Sequence, residues 1–259
     1  MLNKLSLHSF LKSIGIKNTD TVLIHTSYKS LGGFEGGPDG FLDAFISYLD
    51  DGLFIVPTHT WANVNKDNPV YEVDKSIPCI GVVPTIAAFK KEMVRSLHPT
   101  HSVAVYGKRA LDFIKGEELS ETPCPKNGVW DRLYKENATI LLIGVKLNRN
   151  TYMHVFDESF NLPNRLSKPF NITVKDKNGV VRTGPFYPHN GAFSEYFINY
   201  YPALEFANAI KYARLGDAIV EVFNVKKGTD LIKHILSKTT FDVGDDYKTI
   251  PESLYNDFK

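Results

Sequence analysis

The chain has 259 residues, 43% of them apolar, enough to bury one large core or two small ones. Thirty Lys and Arg balance twenty-nine Asp and Glu, for a net charge of +1, so no global positive field directs the protein to nucleic acid. No run approaches the ~18 apolar residues of a membrane span, Met1 to Phe10 lacks a secretion-signal pattern, and two cysteines, Cys79 and Cys124, are too few for a disulfide framework; these features predict a reduced, cytoplasmic protein with no membrane or nucleic-acid partner.

In chain order, apolar segments of two kinds alternate through the first half, the pattern of a layered α/β fold. Strands are expected at Thr21 to His25, Leu53 to Pro57, Val103 to Gly107 and Thr139 to Val145. Between the first two, apolar positions from Phe41 to Leu49 recur at helical spacing behind the start signal Pro38-Asp39. The unit therefore reads strand, glycine-rich loop, helix, strand. Farther on, Phe170 to Lys175 and Val180 to Thr183 flank Asn178-Gly179, a hairpin signal. Helices are expected around Phe193 to Tyr200 and Ala203 to Tyr212, a strand at Ile219 to Phe223, and a last helix from Thr229, as N-cap, to about Ser237. No repeat or linker divides the chain, which predicts one domain, 1–259, with a mixed sheet. Residues 241–259, with Asp242, Asp245, Asp246 and Glu252, read as a solvated, loosely packed tail.

Four segments carry residues suited to chemistry. His25-Thr26-Ser27-Tyr28-Lys29-Ser30-Leu31-Gly32-Gly33 runs from a strand end into glycines and a helix start. Backbone N–H groups, Lys29 and the hydroxyls suit a phosphate-bearing ligand, although a tight structural turn has the same composition. It is neither a nucleotide P-loop nor a G-x-G-x-x-G fingerprint. Arg95-Ser96-Leu97-His98-Pro99-Thr100-His101-Ser102 offers two imidazoles, either one a general base or a structural histidine. A metal site drawing on His25, His59 or His154 is a weaker alternative, because no third ligand stands at metal spacing; no metal is expected. In Asn150-Thr151-Tyr152-Met153-His154-Val155-Phe156-Asp157-Glu158, the acids suit orienting an imidazole or gripping a cationic amine. Finally, Glu121 to Leu133 is a proline-bounded loop entering a short helix, with Cys124 either buried or nucleophilic.

Together and in this order, these segments resemble the aminoglycoside 3-N-acetyltransferase family. Its H-[ST]-S-x-x-x-[LI]-G matches His25, Thr26, Ser27, Leu31 and Gly32, and its P-T-[HF]-T matches Pro57 to Thr60. Its G-x-[IV]-P before a helix matches Gly81 to Pro84, and R-S-x-H-P-x-x-S matches Arg95 to Ser102. Leu141 to Val145 with Asn150, Thr151, His154 and Asp157 completes the set. Two departures stand out: Gly128-Val129 replaces the family's Ser-Pro, and Asp157, followed by Glu158, replaces its usual Glu.

The resemblance implies a single-domain, three-layer α/β sandwich around a mixed sheet. This is unlike the common acetyltransferase fold, whose [RQ]-x-x-G-x-[GA] loop is absent. It implies direct transfer from acetyl-coenzyme A to the 3-amino group of an aminoglycoside. His101 is then the base, supported by Asp157 or Glu158. The donor would be held by His25, Thr26, Ser27, Lys29, Ser30, Leu31, Gly32, Gly33 and Ser102, and the acceptor by Glu72, Asp74, Asp131 and His154. Ser102, Thr26 or loop N–H groups are the candidate oxyanion donors. The alternatives are the same chemistry on a small amine such as an amino-phosphonate or a sugar amine, an acetyl-Cys124 intermediate, or a coenzyme A-binding protein without catalysis.

Overall fold

The computed structural model describes residues 1–239 and 249–259. Among these, ten strands run in chain order: β1 (Thr21–Thr26), β2 (Leu53–Pro57), β3 (Val70–Glu72), β4 (Val94–Arg95), β5 (Val103–Tyr106), β6 (Thr139–Ile143), β7 (Phe170–Asp176), β8 (Gly179–Phe186), β9 (Ile210–Leu215) and β10 (Ala218–Asn224). Seven form a central sheet in the order β4-β5-β2-β1-β6-β10-β9. The middle strand β1 pairs in parallel with β2 and β6, while β5 joins β2, and β10 joins β6, antiparallel. The sheet is therefore mixed, as expected.

The three layers follow from the two-residue period of a strand. Val22, Ile24, Phe54, Val56, Leu141 and Ile143 face one core, shared with α1 (Lys4–Ser13), α2 (Gly37–Tyr48) and α3 (Val82–Phe89). Leu23, Leu53, Ile55, Ile140 and Leu142 face the other, with α4 (Ala110–Ile114), α5 (Val129–Lys135), α6 (His154–Ser159), α7 (Tyr201–Phe206) and α8 (Val225–Lys238). Because β1, β2 and β6 are covered on both faces, they read as near-continuous apolar runs.

Several expectations need correction. The hairpin forms, with its turn one residue early, but β7 and β8 join β3 in a separate three-stranded sheet over a small core of Val64, Tyr71, Ile172, Val174 and Phe186. The helix expected to reach Tyr212 stops at Phe206. Asn208 takes a left-handed φ of 50°, and Ile210 begins an edge strand paired with β10. The last helix starts at Val225, capped by Asn224, whose side chain accepts from the Lys227 N–H. Thr229 lies inside it, bonded to the Val225 carbonyl and the Tyr152 hydroxyl. Of the expected tail, the described residues 249–259 are anchored: Ile250 and Tyr255 are buried in the second core and Asp257 pairs with His234 and Lys238, while Glu252 is exposed. Asp242, Asp245 and Asp246 lie outside the described residues. No described helix is long and apolar enough to cross a membrane.

Candidate active site

The carboxyl ends of β1, β2 and β6 open on one edge of the sheet, the usual position for a ligand in an open α/β fold. His25 and Thr26 finish β1, and Thr58-His59-Thr60 follows β2. The segment after β6 leads to His154, and Thr100-His101 enters β5 from the same side because β5 is antiparallel. With the loops around Lys168 and His189, these residues enclose a cavity of about 900 Å³. Five of the chain's eight histidines line it: His25, His59, His101, His154 and His189.

His154 has the carboxylate. Its Nδ1 lies 2.7 Å from Asp157 Oδ2 across one helical turn, and Arg165 Nε donates to Asp157 Oδ1 at 3.2 Å. The acid is buried, 2% exposed, with one oxygen on each partner. With Nδ1 occupied, His154 keeps Nε2 for a ligand. A carboxylate so placed fixes the ring's tautomer and stabilises an imidazolium.

His101 has a different environment. Its Nδ1 meets Thr100 Oγ1 at 2.9 Å, and the rings of His59, His98 and His189 surround it at 4.6, 5.9 and 5.2 Å. Burial, then the neighbouring imidazoles, holds its pKa well below the usual histidine value. Neither acid supports it, which corrects the expected pairing: Asp157 binds His154, and Glu158 accepts from Thr122 Oγ1 at 2.5 Å and from Cys124 N–H at 2.8 Å, with His189 Nε2 at 3.3 Å. His98 is fully engaged by backbone. Its Nδ1 accepts from the N–H groups of Thr100 and His101, so Nε2 carries the proton to the Thr122 carbonyl, and burial pushes its pKa down to about 4.

Of the residues expected to hold the donor, only His25 and Thr26 line the cavity. His25 stacks on Trp130 and accepts the Thr151 N–H, and burial lowers its pKa to about 3. Thr26 Oγ1 is buried without a partner. Ser27 and Ser30 close a 3₁₀ turn, Tyr28–Leu31, ending at Gly32 with φ 77°. A side chain at Gly144 would overlap the Ser30 hydroxyl. The glycines then pack away from the cavity: Leu2 N–H bonds the Gly33 carbonyl, Asp217 N–H bonds that of Leu31, and Asp217 fills the space beside Gly32. Lys29 is exposed. Ser102 is fully buried and spends its hydroxyl on Thr58, with Arg95 Nε at 3.4 Å. The expected acceptor acids do not gather either. Glu72 pairs with Lys75 and Lys175 on the small sheet, and neighbouring Asp74 is exposed. Asp131 lines a second cavity of about 810 Å³ together with Asp157, Glu158 and Cys124. Burial, then the charges of Glu158 and Asp157, raises the Cys124 thiol well above the usual range, so no activated nucleophile stands there.

His189 and Arg165, which hold Glu158 and Asp157, carry no signal in the sequence. Both follow loops with no local motif, and only the pairing of Asp157 with one and Glu158 with the other reveals them.

The family model described as aminoglycoside 3-N-acetyltransferase matches residues 23–237. The chain belongs to this family. One relative, the SPbeta prophage-derived aminoglycoside N(3')-acetyltransferase-like protein YokD of Bacillus subtilis (strain 168), is 23% identical over 248 residues, covering 88% of this chain and 89% of the relative. Aminoglycoside N(3)-acetyltransferase IV of Salmonella sp is 25% identical, over 69% and 67% of the two chains. Among solved structures, a histidine-to-alanine mutant of aminoglycoside acetyltransferase AAC(3)-IVa in complex with a gentamicin superposes with a TM-score of 0.79 at 21% identity, covering 92% of this chain and 89% of that one. AAC-IIIb in binary complex with CoASH gives 0.77 at 17% identity, over 91% and 96%. The three-layer fold of this acyltransferase is thus that of the N(3)-acetyltransferases.

Proposed function

We propose that this family member transfers the acetyl group of acetyl-coenzyme A directly to a primary amine, with His154 as general base. The observation that carries the assignment is the His154 Nδ1–Asp157 Oδ2 contact of 2.7 Å at the wall of the cavity. The neutral amine attacks the thioester carbonyl carbon, and His154 Nε2 takes the proton that the nitrogen loses. The tetrahedral oxyanion is met by the unpartnered Thr26 hydroxyl. Collapse breaks the C–S bond and expels the coenzyme A thiolate, which is then protonated.

The acceptor proposed from the relatives is the 3-amino group of an aminoglycoside. The lining favours a second acceptor, a small amine such as a sugar amine or an amino-phosphonate. Among the described residues of this cavity, the one carboxylate is Glu195, already paired with Arg149 and Asn148, whereas a polycation calls for several free acids. Thiol release from acetyl-coenzyme A, measured across aminoglycosides with and without a 3-amino group and across small amines, separates the two. Turnover only of 3-amino aminoglycosides supports the first reading. Turnover only of small amines supports the second, and no turnover of any amine leaves a coenzyme A-binding protein.

A further inference from the structure

Behind the cavity, a second set of donor atoms converges. Cys124 Sγ, a carboxylate oxygen of Glu158 and a ring nitrogen of His189 all lie within 4.8 Å of one another. Thiolate, imidazole and carboxylate are the ligand set of a borderline-soft divalent ion, and three protein ligands leave a fourth position open. With bonds of 2.0–2.3 Å, tetrahedral donors stand roughly 3.3–3.7 Å apart. The Glu158–His189 contact is 3.3 Å already, so what remains is for the thiol and the Glu158–His189 pair to close on each other.

We propose that Cys124, Glu158 and His189 form a zinc(II) site in the wall between the two cavities. Three further observations support it. Thr122 Oγ1 holds Glu158 Oε2 and the Cys124 N–H holds Oε1, so the carboxylate is hydrogen-bonded and fixed in orientation, as metal-binding carboxylates are. Thr122, Cys124 and Glu158 all line the second cavity, which gives an ion a route that avoids the acetyl-transfer cavity. Charge also balances: a dication, a thiolate and a carboxylate sum to zero in a buried place. Binding replaces the Cys124 S–H with an S–Zn bond and releases one proton to solvent; the weak contact from Sγ to the Thr151 carbonyl at 3.8 Å is given up.

The site reports to the reaction centre through His189. Its ring centroid is 4.0 Å from that of His154 and 5.2 Å from that of His101. An ion that draws His189 toward Cys124 shifts the ring packed on the proposed base, so zinc slows acetyl transfer.

Cobalt(II) added to the metal-free full chain is the probe, because a thiolate–cobalt bond gives an intense near-ultraviolet band. One equivalent is expected to bind with that band, and zinc to displace it. Cys124→Ser should abolish the band and weaken zinc binding at least roughly tenfold, with an unchanged thermal melt and basal transfer that zinc no longer slows. Cys79→Ser should keep the band. Glu158→Gln keeps the thiolate ligand, so it should retain the band with weaker binding, which tests the site even where Cys124→Ser does not fold. A wild-type chain without the band, or a band that survives Cys124→Ser or vanishes with Cys79→Ser, overturns the proposal. The binding arm needs no acetyl transfer, so it stands or falls apart from the proposed function.

Discussion

A base in amide formation must hold a proton while charge develops, and the two candidate imidazoles differ in what awaits that charge. His154 meets a buried carboxylate at 2.7 Å, whereas His101 meets a hydroxyl and three other histidine rings. His154→Ala is accordingly expected to lower kcat by roughly two to four orders of magnitude, the range of a general base, with the donor KM nearly unchanged. His101→Ala should cost less and act partly through the packing of His59. Asp157→Asn should lower kcat while leaving the acceptor KM nearly unchanged, because the amide keeps the shape but not the charge. Steady-state kinetics on the three variants decide; full activity in His154→Ala with a collapse in His101→Ala returns the role to His101. Sequence placed both histidines and both acids in candidate segments, but it could not say which acid reaches which ring. That pairing depends on α6 presenting His154 and Asp157 three residues apart on one face, and on a loop bringing His189 from far along the chain.

At the level of elements, strands with two covered faces were legible because continuous apolar runs leave little else to be. Leu53–Pro57 came out residue for residue. The boundaries that failed are set by contacts remote in sequence. Asn224 and Thr229 are both ordinary N-cap residues, and what excludes Thr229 is its hydroxyl buried against Tyr152. Asn224→Ala should therefore destabilise the protein by about 1 kcal/mol, the usual cost of a lost cap, read as a lower urea midpoint with an unchanged slope. A midpoint that does not move would mean α8 starts without help from Asn224. At α5 the cap comes from outside the helix. Glu117, 1% exposed, accepts the Val129 N–H at 2.8 Å where the family pattern has Ser-Pro. No local signal in the sequence marks that contact.

For the whole molecule, the gathering of buried imidazoles sets how stability responds to acid. Burial holds His25 at about 3 and His98 at about 4, and holds His59, His101 and His189 well below the ordinary value of 6.5. Between pH 6.5 and about 4 the unfolded chain binds protons at these positions that the native state refuses, so stability falls as pH falls through that window. Glu117 works the other way. Burial raises it to about 7, so below that pH the native state holds a proton the unfolded chain lacks until about pH 4.5, and Glu158 and Glu221 are raised in the same sense. Five histidines outweigh three acids, and the expected result is a melting temperature that declines from pH 7 to pH 5. His98→Asn isolates one contributor. The amide oxygen can take the place of Nδ1 as acceptor for the Thr100 and His101 N–H groups, and it does not titrate. This variant should be less stable than the parent at pH 7.5, yet below pH 6.5 lose stability on acidification less steeply, by up to about 1.4 kcal/mol per pH unit for the one proton removed. Urea titrations at pH 7.5, 6.0 and 5.0 measure the two slopes. Parallel slopes for parent and variant would show that His98 takes up its proton in the native state as readily as in the unfolded chain.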